Sequence, residues 1–428
     1  MHSDIDTYLK KRAIANPWLL EGAAAADADC VFVIPALAES AFLFNTLDAL
    51  RASAKASQTD AQVIVVVNNR DIAHGANPAD IADNAKTLES LHSFAAQEHF
   101  APLSLAWVDA SSPGYALPAK DGVGLARKIG GDHALRLLRE TGRLDTPIVH
   151  LDADSSPAPG YCDALHRFYR GQERWGGYAS YRHPIEAPDT PTGQAMLAYE
   201  IYMRYHEIAL RWAGSPYAYP ALGSIMSSTA RAYAAAGGMN RRQAGEDFYF
   251  MQQLVKTGRL EAIPGALVYP AGRCSERTPF GTGRVVAAES RATLFHPDSY
   301  RVLRDWLTLA AAAILQPGML VRDEANAIHP ELGRFLDARN FPVYWDKIAA
   351  NHSTSPGRLR QFHVWFDGLR TIQLIHHLRD TAFPDVAAPD AVAALLERIG
   401  CEDSRTVLAH PLRTLETLRR ISTVSLSA

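Results

Sequence analysis

The stretch IVHLDADSSP, residues 148–157, is an apolar run that ends in two carboxylates one residue apart. Residues 148–151 have the length and β-branched character of a buried strand, and SSPAPG at 155–160 then breaks the chain into a loop. Asp152 and Asp154 therefore lie just past the carboxyl end of a strand, and the two-residue period of extended chain turns both the same way. Like charges so placed call for a cation, and Mg²⁺ or Mn²⁺ with oxygen ligands is the natural candidate. The alternative is that one aspartate caps the helix that follows while the other is solvated.

On the N-terminal side, VFVIPA (31–36) and VIVVVNN (63–69) are continuous apolar runs bounded by polar or turn residues, as buried parallel strands are, and LSLAWVDA repeats the pattern. Between them SAFLFNTLDALRAS, ADIADNAKTLESLHSFAAQ and GLARKIGGDHALRLLRETG carry apolar residues at helical spacing. Strand and helix alternating through the first 150 residues or so predict an α/β layer around a mostly parallel sheet. Ligands of such sheets collect beyond the carboxyl ends of the strands, where HLDAD finishes.

At 428 residues the chain exceeds the size at which one core stops growing, so a large domain with a smaller attachment is expected. Lys plus Arg at 43 against Asp plus Glu at 46 leaves a net charge of −3, which gives no global attraction for nucleic acid. Cys30, Cys162, Cys274 and Cys401 form no CxxC pair and no zinc spacing, and a reducing cytoplasm is the simplest reading. The first twenty residues carry charges where a signal peptide needs an apolar region, and LTLAAAAILQP is too short to span a bilayer.

A second informative stretch is ALGSIMSSTARAYAAAGGMNRRQAGEDFYFMQQLVKTGRLEAIPG, residues 221–265. A small helix is followed by a turn at Gly237 and Gly238, and Glu246 and Asp247 open a helix whose expected apolar face is Phe248, Met251, Leu254 and Val255. Acidic residues in a first helical turn are favoured by the macrodipole, so capping alone would account for them.

Taken in order, VIPALAES, VIVVVNNR, GLARKIGGDHAL, HLDADS and GGMNRRQAGEDFYFMQQL resemble the nucleotide-sugar glycosyltransferases of the GT-A fold, and among these inverting family 2. The resemblance covers about residues 30–290, with Asp152-Ala153-Asp154 as its DxD motif and Glu246-Asp247 as its ED motif. It implies a Rossmann-like, mostly parallel sheet flanked by helices. It also implies a donor that is a nucleotide diphosphate sugar, a UDP-sugar in the first instance, and an acceptor hydroxyl on a glycan or small glycoside. Pro35, Ala36 and Glu39 would line the nucleotide, and Asn68 would stand where the family commonly has a base-contacting Asp. Arg127 would approach the donor, Asp154 with help from Asp152 would hold the Mn²⁺ or Mg²⁺, Asp247 would be the catalytic base, and Glu246 would orient the acceptor. The loop at 268–286 lacks the histidine that many relatives supply, and it offers Arg273, Arg277 and Arg284 toward a diphosphate instead. Trp212, Tyr217 and Tyr219 fall where acceptors are received, or are simply core.

Beyond residue 298 the pattern turns helical in DSYRVLRDWLTLAAAAIL, PELGRFLDARN, PGRLRQFHVWFDGLRTIQLIHHLRD and PDAVAALLERIG. The expected division is a helical lead-in at 1–29, a catalytic domain at 30–297 and a helical C-terminal region at 298–428, the last packing on the catalytic domain, forming a homodimer or shaping the acceptor site. Peripheral contact with a membrane through a lipid-linked acceptor is compatible with this reading. Two other classes are weighed against it: a catalytically silent nucleotide-sugar or glycan-binding protein, and a sugar nucleotidyltransferase, which ALAESAFLF disfavours because it lacks a glycine-rich phosphate loop.

Overall fold

The computed structural model describes residues 2–14, 16–25, 27–95, 100–185, 187–272, 293–315, 321–401 and 410–423. It divides into two compact units, Met1–Pro184 with Ala221–Ala287, and Ile185–Pro220 with Ala288–Ala428.

The first unit is built on a nine-stranded sheet. Its strands in chain order are β1 (Glu21–Gly22), β2 (Cys30–Ala36), β3 (Ala61–Asn68), β4 (Leu103–Ala110), β5 (Pro147–His150), β6 (Ser155–Pro157), β7 (Gly176–Tyr181), β8 (Met226–Thr229) and β9 (Leu260–Pro270). Across the sheet they run β1-β4-β3-β2-β5-β8-β7-β9-β6. The long ladders are parallel: β4 on β3, β3 on β2, β2 on β5, and β7 on β9. The antiparallel pairings, at β1, β6 and β8, are short. Val63 to Val67 of β3 are wholly buried, which is why that strand reads as an unbroken apolar run with no alternation.

Helices of this unit are α1 (His2–Lys11), α2 (Leu43–Ser57), α3 (Pro78–Ala95), α4 (Val123–Glu140), α5 (Tyr161–Tyr169), α7 (Ala230–Ala235) and α8 (Glu246–Thr257). Helix α4 packs on β2 and β3 at close range. A Cβ added at Gly130 would stand 2.5 Å from Val33 Cγ1, so the glycine lets helix and sheet approach. The lead-in is tied to the same helix, because Tyr8 Oη (2.6 Å) and the Ile14 amide (2.7 Å) both donate to the buried Asp132 carboxylate. The expected strands and helices of this half are present, as is the expected Rossmann-like arrangement of a mostly parallel sheet flanked by helices.

In α8 the buried residues are Glu246, Phe250, Met251, Gln252 and Leu254, so the inward aromatic is Phe250 and not the expected Phe248. The i, i+4 row that starts at the buried Glu246 selects it.

The second unit holds α6 (Pro191–Trp212), α9 (Pro297–Leu315), α10 (Val321–Ile328), α11 (Pro330–Asp337), α12 (Phe341–Asn351), α13 (Ser355–Trp365), α14 (Gly368–Thr381), α15 (Ala388–Arg398) and α16 (Pro411–Thr423). Its core gathers Leu197, Tyr205, Trp306, Phe335, Phe362 and Leu418. The grouping differs from the expected boundary at 298, because residues 185–220 belong with the C-terminal helices. The reason lies on α6, whose Leu197, Ile201 and Ile208 join this core and whose buried Glu200 is paired with Arg419 of α16 at 2.8 Å. The run read as one helix across 356–380 is two, parted at Phe366, with Asp367 accepting from the Arg370 amide at 3.1 Å as the second N-cap. Tyr217 and Trp212 are taken up inside this unit: Tyr217 Oη donates to the His363 carbonyl at 2.6 Å, and the Arg304 guanidinium lies 4.7 Å from the Trp212 ring centre. Among the described residues no helix is long and apolar enough to cross a membrane.

Candidate functional site

The site is assembled where the parallel strands of the first unit end. Strand β5 stops at His150, the Leu151 amide still donates to the Val33 carbonyl at 3.1 Å, and the chain then leaves the sheet. Ala153 is buried, its carbonyl accepting from Thr46 Oγ1 at 2.9 Å, while Asp152 and Asp154 on either side are only half-buried. Neither caps the next helix, since α5 begins at Tyr161 after Gly160 with no side-chain cap.

Asp152 is met by a cation of the protein's own. Arg127, on the first turns of α4, is 2% exposed, and its Nη2 is hydrogen-bonded to Asp152 Oδ1. Its Nε donates to Glu246 Oε1 at 3.1 Å. One guanidinium thereby joins the DxD and ED motifs, which stand about ninety residues apart in the sequence. Burial by itself disfavours the charge on Arg127, yet Asp152, then Glu246 and Asp247, hold its pKa above the ordinary value. Arg127 thus forms a buried bridge between carboxylates, and its Nη1 has no hydrogen-bond partner among the described residues.

Gly223 makes room for that bridge. A Cβ at this position would lie 2.1 Å from Arg127 Nη2. Gly223→Ala is therefore expected to push the guanidinium off Asp152 and to cost about 2 kcal/mol, the usual scale of overpacking, read as a lower urea midpoint at unchanged slope. An unchanged midpoint would mean that Arg127 has another place to go.

Glu246 and Asp247 open α8 after Gly245, whose φ of +72° suits glycine. Glu246 is buried, and its pKa is raised by burial against the opposing charge of Arg127. Asp247 is half-buried and accepts from the Phe248 amide at 2.7 Å. Burial, then the neighbouring Glu246 charge, pushes its pKa up to about 7. Capping accounts for Asp247 in part, since it takes up a first-turn amide, but not for the commitment of Glu246 to Arg127. A carboxylate with this pKa can take a proton near neutral pH and release it again.

At the ends of β2 and β3 the expected nucleotide-lining residues come together. Pro35 and Ala36 are buried in β2, and Glu39 follows at the turn into α2, where its carbonyl accepts from the Phe42 and Leu43 amides (3.0 and 2.9 Å). Asn68, 4% exposed at the end of β3, has no hydrogen-bond partner for its Oδ1 among the described residues. A buried amide oxygen left in this state is costly unless a ligand or water completes it. Arg273 and Arg277, with Arg284, lie outside the described residues.

Three residues near the site were not singled out in the sequence. Asn84 of α3 is fully buried and spans the strand ends, donating to Asn69 Oδ1 at 2.7 Å and to the Asn68 carbonyl at 3.1 Å, and accepting from the Ala38 amide at 2.9 Å. An asparagine within a helical period carries no mark of this. Asp109, the penultimate residue of β4, accepts from the Ser111 and Ser112 amides, both at 2.9 Å, and its pKa is lowered because these bonds and those of the serine hydroxyls outweigh burial. Its signal was present in VDASS, an Asx turn at a strand end. His150, just ahead of the DxD motif, is buried, with neither ring nitrogen hydrogen-bonded among the described residues, and burial, reinforced by the Arg127 charge, keeps it neutral.

The donor set of Asp152 and Asp154, hard carboxylate oxygens at a strand end, fits a divalent cation such as Mn²⁺ or Mg²⁺. Among the described residues no group of three or more His, Cys, Asp or Glu could hold a metal ion.

No family model matches this chain, and no curated protein does. Among solved structures it is similar to TarS 1–349 of S. aureus in complex with UDP-GlcNAc, with a TM-score of 0.36 and 12% identity, covering 91% of this chain and 89% of that one. The same TarS fragment in complex with UDP gives 0.36 and 11%, with the same coverage. A longer S. aureus TarS structure gives 0.34 and 10%, covering 92% of this chain and 54% of that one. Likeness at this distance does not define an activity, and the chemistry of this chain has to be derived from the residues of its own site.

Proposed function

We propose that this chain is a nucleotide-sugar glycosyltransferase, an enzyme that moves a sugar from a nucleotide diphosphate, in the first instance UDP, to a hydroxyl of a glycan or small glycoside with inversion. The observation that carries the reading is Asp247, half-buried beside Glu246 with a pKa of about 7, at a carboxylate cluster that Arg127 ties to the strand-end Asp152. An acceptor hydroxyl is a poor nucleophile until its proton is taken during attack. Asp247 accepts that proton, the oxygen's electron pair forms the bond to the anomeric carbon, and the bond from that carbon to the diphosphate breaks with its electrons leaving on the phosphate oxygen. Attack from the face opposite the leaving group inverts the centre. Glu246, fixed by Arg127, orients the acceptor without taking the proton.

Asp152 and Asp154 would hold the Mn²⁺ or Mg²⁺, which when bound neutralises charge on the departing diphosphate. Asn68 offers both an acceptor and a donor, the pair a uracil edge requires. A cytoplasmic location belongs to this proposal and agrees with Cys30, Cys162 and Cys401 being unpaired.

The test is calorimetric titration of UDP, GDP, CDP and dTDP with and without Mn²⁺. One nucleotide is expected to bind in a metal-dependent way and to lose that dependence in Asp154→Ala. Asn68→Ala is expected to weaken the same nucleotide about tenfold, the equivalent of roughly one hydrogen bond. A folded protein that binds none of the four would end the transferase reading.

A further inference from the structure

We infer that the first unit carries a second binding pocket, apart from the carboxylate cluster, that takes a phosphate dianion, free or as the ester of a small molecule. A cavity of about 400 Å³ is walled by Arg12 just after α1, Gly237 and Gly238 just after α7, Asn240 and Arg242 in the next loop, and Tyr249 of α8. Among the described residues no carboxylate lines it.

Among the described residues four cationic side chains, Arg12, Lys128, Arg241 and Arg242, gather in this part of the unit. Lys128 is matched by Asp132 at 3.1 Å, and Arg241 by Asp121 at 3.0 Å. Arg12 and Arg242 have no ion-pair partner among the described residues, which leaves two positive charges on the pocket wall in a chain of net charge −3. Their field reaches inward: the pKa of Lys128 is lowered first by burial, then by the charges of Arg241 and Arg12.

Both guanidiniums are prepared for a ligand. Arg242 lies 3.8 Å from the Tyr249 ring centre, which holds its planar fork in place, and its amide donates to Asn240 Oδ1 at 3.2 Å. Arg12 lies against the glycine turn, where a Cβ on Gly237 would stand 2.9 Å from its Nη1 and one on Gly238 only 1.8 Å from Tyr8 Oη. With φ of +85° and +70° the two glycines form a wall without side chains. Two unmatched forks suit a tetrahedral dianion better than a single carboxylate, because each can give paired hydrogen bonds to it. The cavity is larger than a phosphate group and leaves space for an organic remainder. Asn240 Nδ2 donates to the Glu246 carbonyl at 2.8 Å, so the pocket shares a loop with the candidate catalytic pair without using either of its side chains.

The experiment titrates inorganic phosphate and glycerol 1-phosphate into the full chain at pH 8, alone and with saturating UDP and Mn²⁺. It repeats the titrations on Arg12→Ser/Arg242→Ser, in which both changed positions are exposed, with an unchanged Tm as the check on folding. Binding to one site is expected, indifferent to UDP and at least tenfold weaker in the double variant. Tighter binding of the ester assigns an esterified ligand, and equal binding assigns free phosphate. No binding to the unaltered protein, equal affinity in the variant, or displacement by UDP overturns the proposal. A protein that binds phosphate here yet no nucleotide would sink the transferase reading and leave this one standing.

Discussion

Asp247→Asn is expected to lower turnover by about 10²–10⁴-fold, the usual contribution of a general base, while raising the stability of the protein above neutral pH. The two effects have one origin. In the folded chain the Asp247 carboxyl titrates near 7, against an ordinary value of 3.8. A carboxyl whose folded pKa is raised contributes stability that is fully present below its unfolded pKa and is lost as pH rises through the folded one. Between about pH 4 and 7 the unaltered protein therefore loses stability from this group, and by pH 8 the ionised Asp247 costs roughly 2–4 kcal/mol. Asparagine carries no charge to desolvate, so the variant should unfold at higher urea than the parent at pH 8, with the difference closing as pH falls toward 4. Activity should run the other way in the unaltered enzyme: kcat/KM rises about tenfold per pH unit up to an apparent pKa near 7 and then levels off. A variant less stable than its parent at pH 8, or a rate indifferent to pH between 5 and 8, would remove Asp247 from the role of base.

The parts of this arrangement legible in the sequence are those written in local patterns. LSLAWVDA is strand β4 from first residue to last, and IVHLDAD shows a buried strand running into two carboxylates, because burial on both faces of a parallel sheet leaves an unbroken apolar run. The start of α8 at Glu246 was legible for a similar reason, Gly245 being followed by acidic residues and a helical period. What stayed hidden depends on depth and on distant partners. Helical spacing tells which residues of α4 share a face, but not that Arg127 is 2% exposed and bridges two motifs. Gly223 looked like one glycine among many in ALGSIMSS, and only the guanidinium beside it gives it a reason. Helix α6 carries no clear mark because its buried Glu200 and Arg204, paired with each other, interrupt the apolar stripe, and Arg419, the second partner of Glu200, lies more than two hundred residues away.

Arg127→Met should be strongly destabilising although it leaves the apolar core untouched. Arg127 is the cation between Asp152, Glu246 and Asp247, and its removal leaves Glu246 with a buried charge and no counter-ion. Breaking a buried pair from one side costs about 3–5 kcal/mol, because the partner keeps its desolvation penalty and loses the attraction that offset it. Arg127→Lys should recover only part of this, since a single ammonium cannot reproduce the fixed in-plane Nε and Nη2 donors that meet two carboxylates. The pH dependence separates this account from simple loss of packing. Without the guanidinium, Glu246 and Asp247 move further upward in pKa, so acid, by protonating them, relieves the variant. Urea unfolding at pH 8 and pH 5 should show the gap between parent and Arg127→Met narrowing at the lower pH. A second comparison fixes the partner: adding Glu246→Gln to Arg127→Met should restore stability toward the parent, because the uncompensated charge is then gone. A gap that is the same at both pH values, and a double variant worse than the single, would mean that Arg127 contributes by volume and that the two motifs are not joined through its charge.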